Sequence, residues 1–483
     1  MHIVSNSFWA MCVPLVPILK ELKKNGAIAY LVGGAVRDLV LGLDIKDADI
    51  EIHNCTLAQL EKILKNFGTV TQVGKKFGVL KILKINVDWS LPRKDSKGRK
   101  PVVQIDTAMT IQSACKRRDL TMNAMAINLT DILDKLSDKK SGKINLEIID
   151  PYNGLKDIKN RQLRAVDDKL FLEDPLRFFR VMQFISRFEF NPHPSLDKLC
   201  SNMSLYDVST NTPLAKERIY EELKKLFLKS RVPSLGFRWL LNINRLREIF
   251  PELFSLVGVL QQKKYHPEGD VFEHTMQSID AGAQLNYFES EEEKLLILYS
   301  LLCHDLGKAI STDKDLKCHG HEKKGVSLAQ KLMKRLTNDK KFYKPVEKLV
   351  LYHRLPIDLL EQNATDKAYK RLAIKLASEV NLRQLGLVSL ADLQGRNKSG
   401  HEPLISLYHD KFNLFLNKAR ESFVEKYPEE PVLKGRHLLN ICPAGPKMGK
   451  LLKRAYNIQI EEGIKDLEEL KKQVLKDFKK SIK

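Results

Sequence analysis

The pattern of apolar and polar positions changes character part-way along the chain. Up to about residue 165 strand and helix signals alternate, and from Lys169 onward helical periodicity dominates. In the first part, residues 27–32 form a short apolar run bounded by glycines, which predicts a buried strand. Gly33 and Gly34 then allow close backbone approach and unusual dihedrals, and Ala-Val-Arg-Asp-Leu-Val-Leu reads as a turn or two of helix. Strict alternation follows, with Asp47, Asp49 and Glu51 on one face and Ala48, Ile50 and Ile52 on the other. A side-chain period of two predicts a strand that buries its aliphatic face and displays three acids. The thirty residues before the glycine turn predict a packing helix.

In the second part, Pro175 suits a first helical turn, and Glu173 with Asp174 suits a helix N-terminus. Phe178, Val181, Met182 and Ile185 predict a buried stripe, while Asp174, Arg177 and Arg180 recur every three residues on one polar face. Turn-rich or polar stretches at 93–98, 138–142, 256–270 and 395–403 read as loops or boundaries, and a lysine-rich helical pattern closes the chain.

A length of 483 residues suggests three or four domains, and 43% hydrophobic residues suffice for real cores. The formal charge of +21 exceeds any need of folding and is the footprint of a polyanionic partner, nucleic acid first and acidic membrane second. No apolar run reaches the length of a membrane span, and Pro14 and Pro17 interrupt the one greasy stretch near the start, unlike a signal peptide. Seven scattered cysteines form no Cys-x-x-Cys pair, as expected of reduced thiols in a cytoplasm.

The charge pattern brings chemistry into the first part. A glycine turn, Arg37, and two carboxylates one residue apart combine a cradle for triphosphate with a perch for metal ions. Adjacent carboxylates repel unless a cation sits among them, and Mg²⁺ prefers oxygen ligands with phosphate oxygens completing its shell. Taken alone, the same residues also describe an amphipathic edge strand with solvated charges. Asp88 lies on a neighbouring strand candidate and is the better third acid than Glu51, with Asp106 a less favoured competitor. In Lys116-Arg-Arg-Asp-Leu-Thr-Met-Asn the arginines suit triphosphate or ribose contacts, and Asp119 can fix arginine geometry; a surface ion pair is the plainer alternative. Asp174 beside Arg177 suits the Watson–Crick edge of a base, since a carboxylate accepts from the amino group of cytosine or adenine. A helix cap with one salt bridge is the alternative there.

Residues 266 to 392 hold six of the twelve histidines. His274, His304-Asp305, His321, His353 and Asp392 are imidazoles and carboxylates spread over predicted helices. Such a set suits a divalent metal with open positions, which activates water for phosphoester hydrolysis.

Gly-Gly-Ala-Val-Arg-Asp, Asp-Ala-Asp, Arg-Arg-Asp-Leu-Thr-Met-Asn-Ala, Asp150-Pro-Tyr-Asn-Gly-Leu-Lys-Asp and Glu-Asp-Pro-Leu-Arg occur in one order over some 150 residues. In order and spacing they resemble the bacterial-type (class II) CCA-adding tRNA nucleotidyltransferases, a family shared with bacterial poly(A) polymerases. The histidine region closely resembles the HD phosphohydrolase domain carried by long forms of that family. The resemblance implies an α+β multidomain chain: a polymerase-β-like nucleotidyltransferase head followed by an all-α neck, HD domain and tail. The expected divisions are an N-terminal extension at 1–26, head at 27–165, helical neck and body at 166–255, HD domain at 256–400 and tRNA-binding tail at 401–483. By this likeness Asp47 and Asp49 hold catalytic Mg²⁺ with Asp88 as third acid. Gly34, Arg37, Arg118 and Asp119 serve the triphosphate and ribose, and Asp174 and Arg177, supported by Arg180, template CTP and then ATP. Gln183 departs from the pattern where some relatives carry a further arginine, and Leu120 replaces a common phenylalanine. His274, His304, Asp305 and Asp392 are the implied core ligands of a divalent metal in the HD domain, with His321 and His353 holding a second.

The implied activity is template-free addition of CCA to the tRNA 3′ end from CTP and ATP, with the acceptor arm gripped by basic neck and tail, no membrane partner, and HD-domain repair of phosphorylated ends. A CC-adding enzyme and a poly(A) polymerase are alternatives in the same class. The basic loop at 93–100 favours full CCA addition, whereas the run at 73–81 resembles both branches. An RNA-binding HD hydrolase with a nucleotide-sensing head is the alternative from another class.

Overall fold

The computed structural model describes residues 2–3, 6–73, 79–95, 103–137, 144–207, 210–396 and 404–480. Most of the expected basic loop at 93–100, the Gly-Lys-Lys-Phe-Gly run at 74–78, the turn at 138–142 and the 397–403 part of the polar boundary lie outside them. Contacts divide the chain into two compact units, residues 1–226 with 238–245, and residues 227–237 with 246–483.

The first unit is built on a six-stranded sheet of β1 (Ile28–Val32), β2 (Ala48–His53), β3 (Val70–Val73), β4 (Val79–Ile82), β5 (Val87–Ser90) and β6 (Ala126–Asn128), in the order β3-β4-β5-β2-β1-β6. The pair β2–β5 is parallel and the other pairs are antiparallel. Alternation along β2 falls as the sequence predicts, with Ala48, Ile50 and Ile52 at most 3% exposed. The residues before the glycine turn supply helix α1 (Val16–Lys24), whose Ile18, Leu19 and Leu22 are buried against β1 and helix α3 (Leu57–Lys65). Between β1 and β2, Gly33 has φ +73°, a left-handed value that turns the chain sharply into helix α2 (Gly34–Val40).

The motif at Asp150 has a structural role. Its two carboxylate oxygens accept from the Gly154 and Leu155 N–H groups at 2.7 and 2.9 Å. They thereby satisfy the free N-terminal donors of helix α4 (Gly154–Lys159). Thr121 Oγ1 donates to Asp157 at 2.7 Å, and a Cβ at Gly154 would run into the Thr121 carbonyl. This fastens α4 to the Arg-Arg-Asp-Leu-Thr segment. Helix α5 (Leu176–Phe188) follows with Phe178, Val181, Met182 and Ile185 all buried, as the stripe predicts.

Every described regular element of the second unit beyond residue 246 is helical. Helices α6 (Val271–Gln284), α7 (Glu291–Cys303), α8 (His321–Leu336), α9 (Lys340–Tyr352) and α10 (Leu382–Gln394) pack together. From Leu295 to Cys303 α7 is buried on every side, which makes it a central helix. Helix α11 (Leu404–Glu421) covers α10. The last helices, α12 (Pro446–Glu462) and α13 (Leu467–Lys480), share a small core of Leu451, Ile458, Leu470 and Val474. No described helix is long and apolar enough to cross a membrane.

Because the Gly154 position abuts backbone, Gly154→Ala is expected to destabilise the first unit by about 2 kcal/mol. This would be read as a lowered thermal midpoint for that unit's transition.

Two candidate active sites

In the first unit, the register of β2 against β5 sets Asp49 beside Asp88. Asp47 stands two residues earlier on the face of Asp49 and accepts from Asn86 Nδ2 at 3.0 Å. The three acids expected to act together are thus brought together at the central strands of the sheet. Asp49 is exposed, yet the protein crowding its carboxyl pushes its pKa up, with Asp88 and Asp47 adding to the rise and Arg118 opposing it. Lys81, which the sequence reading did not assign, sits opposite Asp88 across the β4–β5 pair and contacts it at 2.6 Å. A cavity of about 260 Å³ lies here, lined by Asp49, Glu51, Asp88, Arg117 and Arg118 among others. Asp106 is not part of its wall. Glu51 is held by His53 Nε2 at 2.8 Å, and His53 Nδ1 donates to the Met109 carbonyl at 2.8 Å. Burial alone would raise the Glu51 pKa, but His53 and Arg118 outweigh it and hold it low.

Arg118 lies against Gly33, where any Cβ would collide with its guanidinium. Gly34 begins α2 and has Arg37 over it, an ideal Cβ lying 3.3 Å from Arg37 Nη2. Arg37 differs from expectation, because its guanidinium is not on the cavity wall. It is 5% exposed, donates to Asn123 Oδ1 at 2.7 Å and Asp38 Oδ1 at 2.8 Å, and lies over the Phe188 ring at 4.7 Å. Phe184 and Phe188 of α5 both stand under this guanidinium, and the cation is consumed there.

Asp119 joins the head segment to α5. Its Oδ1 accepts from Leu120 N–H at 2.8 Å and Asn123 Nδ2 at 2.9 Å, and its Oδ2 from Arg180 Nε at 2.6 Å. Burial opposes the charge, but Arg180 and the amide donors hold the Asp119 pKa far below the usual carboxylate range. Arg177 donates to the Leu170 carbonyl at 2.8 Å and the Arg117 carbonyl at 2.6 Å. Asp174 caps the start of α5 through Leu176 N–H at 3.0 Å and faces Arg218 at 3.4 Å. Of the alternative reading, a helix cap with one i,i+3 salt bridge, the cap is present, while Asp174 and Arg177 take other partners than each other. Gln183 is 2% exposed, and its amide nitrogen finds no acceptor among the described residues.

In the second unit, His274, His304, Asp305, His321, His353 and Asp392 converge, each at most 4% exposed. His274 Nε2 lies 3.0 Å from Asp392 Oδ1 and 3.3 Å from His304 Nε2. His304 Nε2 lies 3.3 Å from Asp305 Oδ2, and His321 Nε2 lies 3.3 Å from Asp305 Oδ1. The local sequence aims these rings. His304, His321 and His353 place Nδ1 at 2.7, 2.9 and 2.8 Å from the carbonyls of Leu301, Cys318 and Val350, each three residues earlier. A carbonyl only accepts, so Nδ1 carries the hydrogen and Nε2 turns inward. Glu268 stands 2.8 Å from His274 Nδ1 without a well-aimed hydrogen bond to it, and accepts from His266 at 2.9 Å.

The donor set fits a divalent ion. Buried nitrogen and oxygen atoms within ligand reach of one another form two groups, His274/His304/Asp392 and Asp305/His321/His353. Neither Asp305 oxygen nor His321 Nε2 takes part in a well-aimed hydrogen bond among the described residues. Two cations also touch the carboxylates, Lys308 Nζ at 2.7 Å from Asp305 and Arg396 Nη2 at 3.0 Å from Asp392. Burial would raise both carboxylates, yet these cations and the histidines hold them well below their ordinary range. Lys308 and Arg396 follow their carboxylates by three and four residues, a helical spacing legible in the sequence. Glu268 fell in a polar stretch read only as a boundary.

A sheet presenting adjacent carboxylates, joined in one chain to a buried His/Asp cluster, defines a nucleotidyltransferase head combined with an HD domain. The poly A polymerase head domain model matches residues 29–164 and the HD domain model residues 271–393. The multifunctional CCA protein of Mannheimia succiniciproducens is 32% identical over 378 residues, 76% of this chain and 84% of that protein. That of Pasteurella multocida is 33% identical over 377 residues, with the same coverage. The chain therefore belongs to the multifunctional CCA protein family of CCA-adding enzymes. Its fold is similar to that of a CCA-adding enzyme solved in apo form II, with a TM-score of 0.59 at 18% identity over 98% of this chain and 99% of that one. It also resembles the Bacillus stearothermophilus CCA-adding enzyme solved with CTP, with a TM-score of 0.59 at 19% identity over 96% and 97%.

Asp119→Asn removes a charge whose folded pKa is depressed. Its contribution is present above the unfolded value near ~3.9 and is lost as pH falls toward the folded value. The variant is expected to be less stable by about 2 kcal/mol at pH 7, with the gap to wild type narrowing below about pH 4 in denaturant titrations.

Proposed function

We propose that this chain adds cytidine and adenosine to the 3′ end of tRNA from CTP and ATP in the cytoplasm, with one catalytic site in the head and a separate phosphohydrolase site in the HD domain. The observation that carries the first half is the register of Asp49 beside Asp88, with Asp47 on the same face and Arg117 and Arg118 on the wall of the same cavity. When bound, Mg²⁺ on Asp47, Asp49 and Asp88, and a divalent metal on the HD cluster, supply Lewis acidity for nucleotidyl transfer and an activated water for phosphoester hydrolysis respectively.

The remaining work falls to side chains. Arg118, lying across Gly33, holds the triphosphate in this reading, and the absence of a Cβ at Gly33 gives its guanidinium room. The tRNA terminal hydroxyl attacks the α-phosphate, and pyrophosphate leaves with its charge met by cationic side chains. Asp174 and Arg177 meet the base edge. Arg180, fixed by Asp119 at 2.6 Å, sets the orientation of that helix face. Arg37 acts from behind, tying α2 to Asn123 and α5. A formal charge of +21 suits a grip on tRNA phosphates.

The two sites are expected to be separable. Asp49→Asn should abolish labelled CTP and ATP incorporation into tRNA lacking its terminal nucleotides, by at least about a thousandfold, while hydrolysis of a nucleoside 2′,3′-cyclic phosphate persists. His304→Ala should give the reverse. Loss of both activities in both variants would overturn the two-site reading.

A further inference from the structure

The second unit holds a cavity of about 490 Å³ beside the His/Asp cluster, with Lys308, Arg354 and Arg396 in its wall along with His321, His353 and Asp392. Arg396 is the odd member. It follows the end of α10, and Nη2 lies 3.1 and 3.0 Å from the two oxygens of Asp392. Its Nε is buried and finds no acceptor among the described residues. A planar guanidinium normally presents paired N–H groups to an oxyanion, so one nitrogen engaged and another buried without an acceptor is a half-used fork.

A second observation shows that the backbone is shaped to deliver this side chain. Gly395 presses on α6, where a Cβ would stand 2.8 Å from both the Cα and N of Ser278. Any other residue would force α10 and α6 apart at the position next to Arg396. The close approach fixes Arg396 four residues from Asp392 on the same helical face.

We propose that Arg396 is the phosphate-binding group of the HD cavity, and that Asp392 holds it in reserve until a divalent ion engages that carboxylate. This rests on the reading of the cluster as a metal site acting on phosphate esters. The charges support it. Lys308 and Arg396 stand 2.7 and 3.0 Å from Asp305 and Asp392 and offset their charge. A divalent ion takes lone pairs from those same oxygens, leaving the guanidinium short of an acceptor in a confined polar cavity. A phosphate dianion entering that cavity supplies two oxygens with the spacing of the Arg fork. Asp392 then serves Arg396 in one state and the metal in the other, so Arg396 competes with metal for Asp392 and cooperates with it in binding phosphate.

Equilibrium titration of the full chain tests this, with Co²⁺ as the metal, inorganic phosphate as the anion, and the visible absorption of Co²⁺ as readout. His274→Ala subtracts binding elsewhere. Wild type should bind phosphate at this site only with Co²⁺ present. Arg396→Gln should bind Co²⁺ at least as tightly as wild type but phosphate at least about tenfold more weakly. Arg396→Lys, which keeps the stem and the charge but not the fork, should fall between them and stands in if the glutamine variant does not fold. Absence of Co²⁺ binding at this site in wild type would overturn the metal reading itself. Co²⁺ binding with phosphate affinity unchanged in Arg396→Gln would overturn the proposal alone. So would tenfold weaker Co²⁺ binding in that variant, since Arg396 would then be a positioning residue for Asp392.

Discussion

Parallel pairing of Ala48–His53 with Val87–Ser90 sets Asp49 beside Asp88, and carboxylates held side by side repel unless a cation lies among them. That constraint governs the first unit. The sheet supplies the covalent and hydrogen-bonded rigidity that keeps the acids in place, and Lys81 on the next strand stands 2.6 Å from Asp88. Buried aliphatic residues on the far face of the strand make the placement stiff, because a slip of one residue would carry the acids into the core.

The second unit solves the same problem with helices. Three histidines reach back to a carbonyl three residues earlier, and Glu268 stands 2.8 Å from His274 Nδ1. Each of those three rings is thereby locked in one tautomer with Nε2 inward. The buried central helix α7 ends at Cys303, so its stop delivers His304 and Asp305 directly into the cluster. Lys308 and Arg396 offset the buried carboxylates, which keeps a densely charged interior tolerable.

The elements that follow from local pattern were legible in the sequence. The strand before the glycine turn, the alternation of β2 and the stripe on α5 each depend on near neighbours, and all three stand where the periodicity puts them. Asp88 was legible as a candidate strand acid, but its pairing with Asp49 is a long-range register that no local pattern carries. Lys81 escaped for the same reason. Arg37 shows the opposite limit: an arginine in a glycine-rich turn reads as an anion binder, and only the aromatics of α5, more than a hundred residues later, reveal that its guanidinium is stacked and buried. The roles of Asp174 and Arg177 rest on a helix face, whereas their present partners, Arg218 and the Leu170 and Arg117 carbonyls, belong to segments the face could not announce.

The proposed function assigns the chemistry of transfer to the carboxylates on the central strands of the sheet and the choice of nucleotide to the start of α5. The most direct measurement offers the protein tRNA lacking three, two or one terminal nucleotides, with each of the four nucleoside triphosphates in turn and product length read to single-nucleotide resolution. The account predicts C addition to the first two substrates and one A to the third, with no use of UTP or GTP and no extension of unrelated RNA. Long A tails on unrelated RNA, or a stop after the second C with ATP never used, would contradict it.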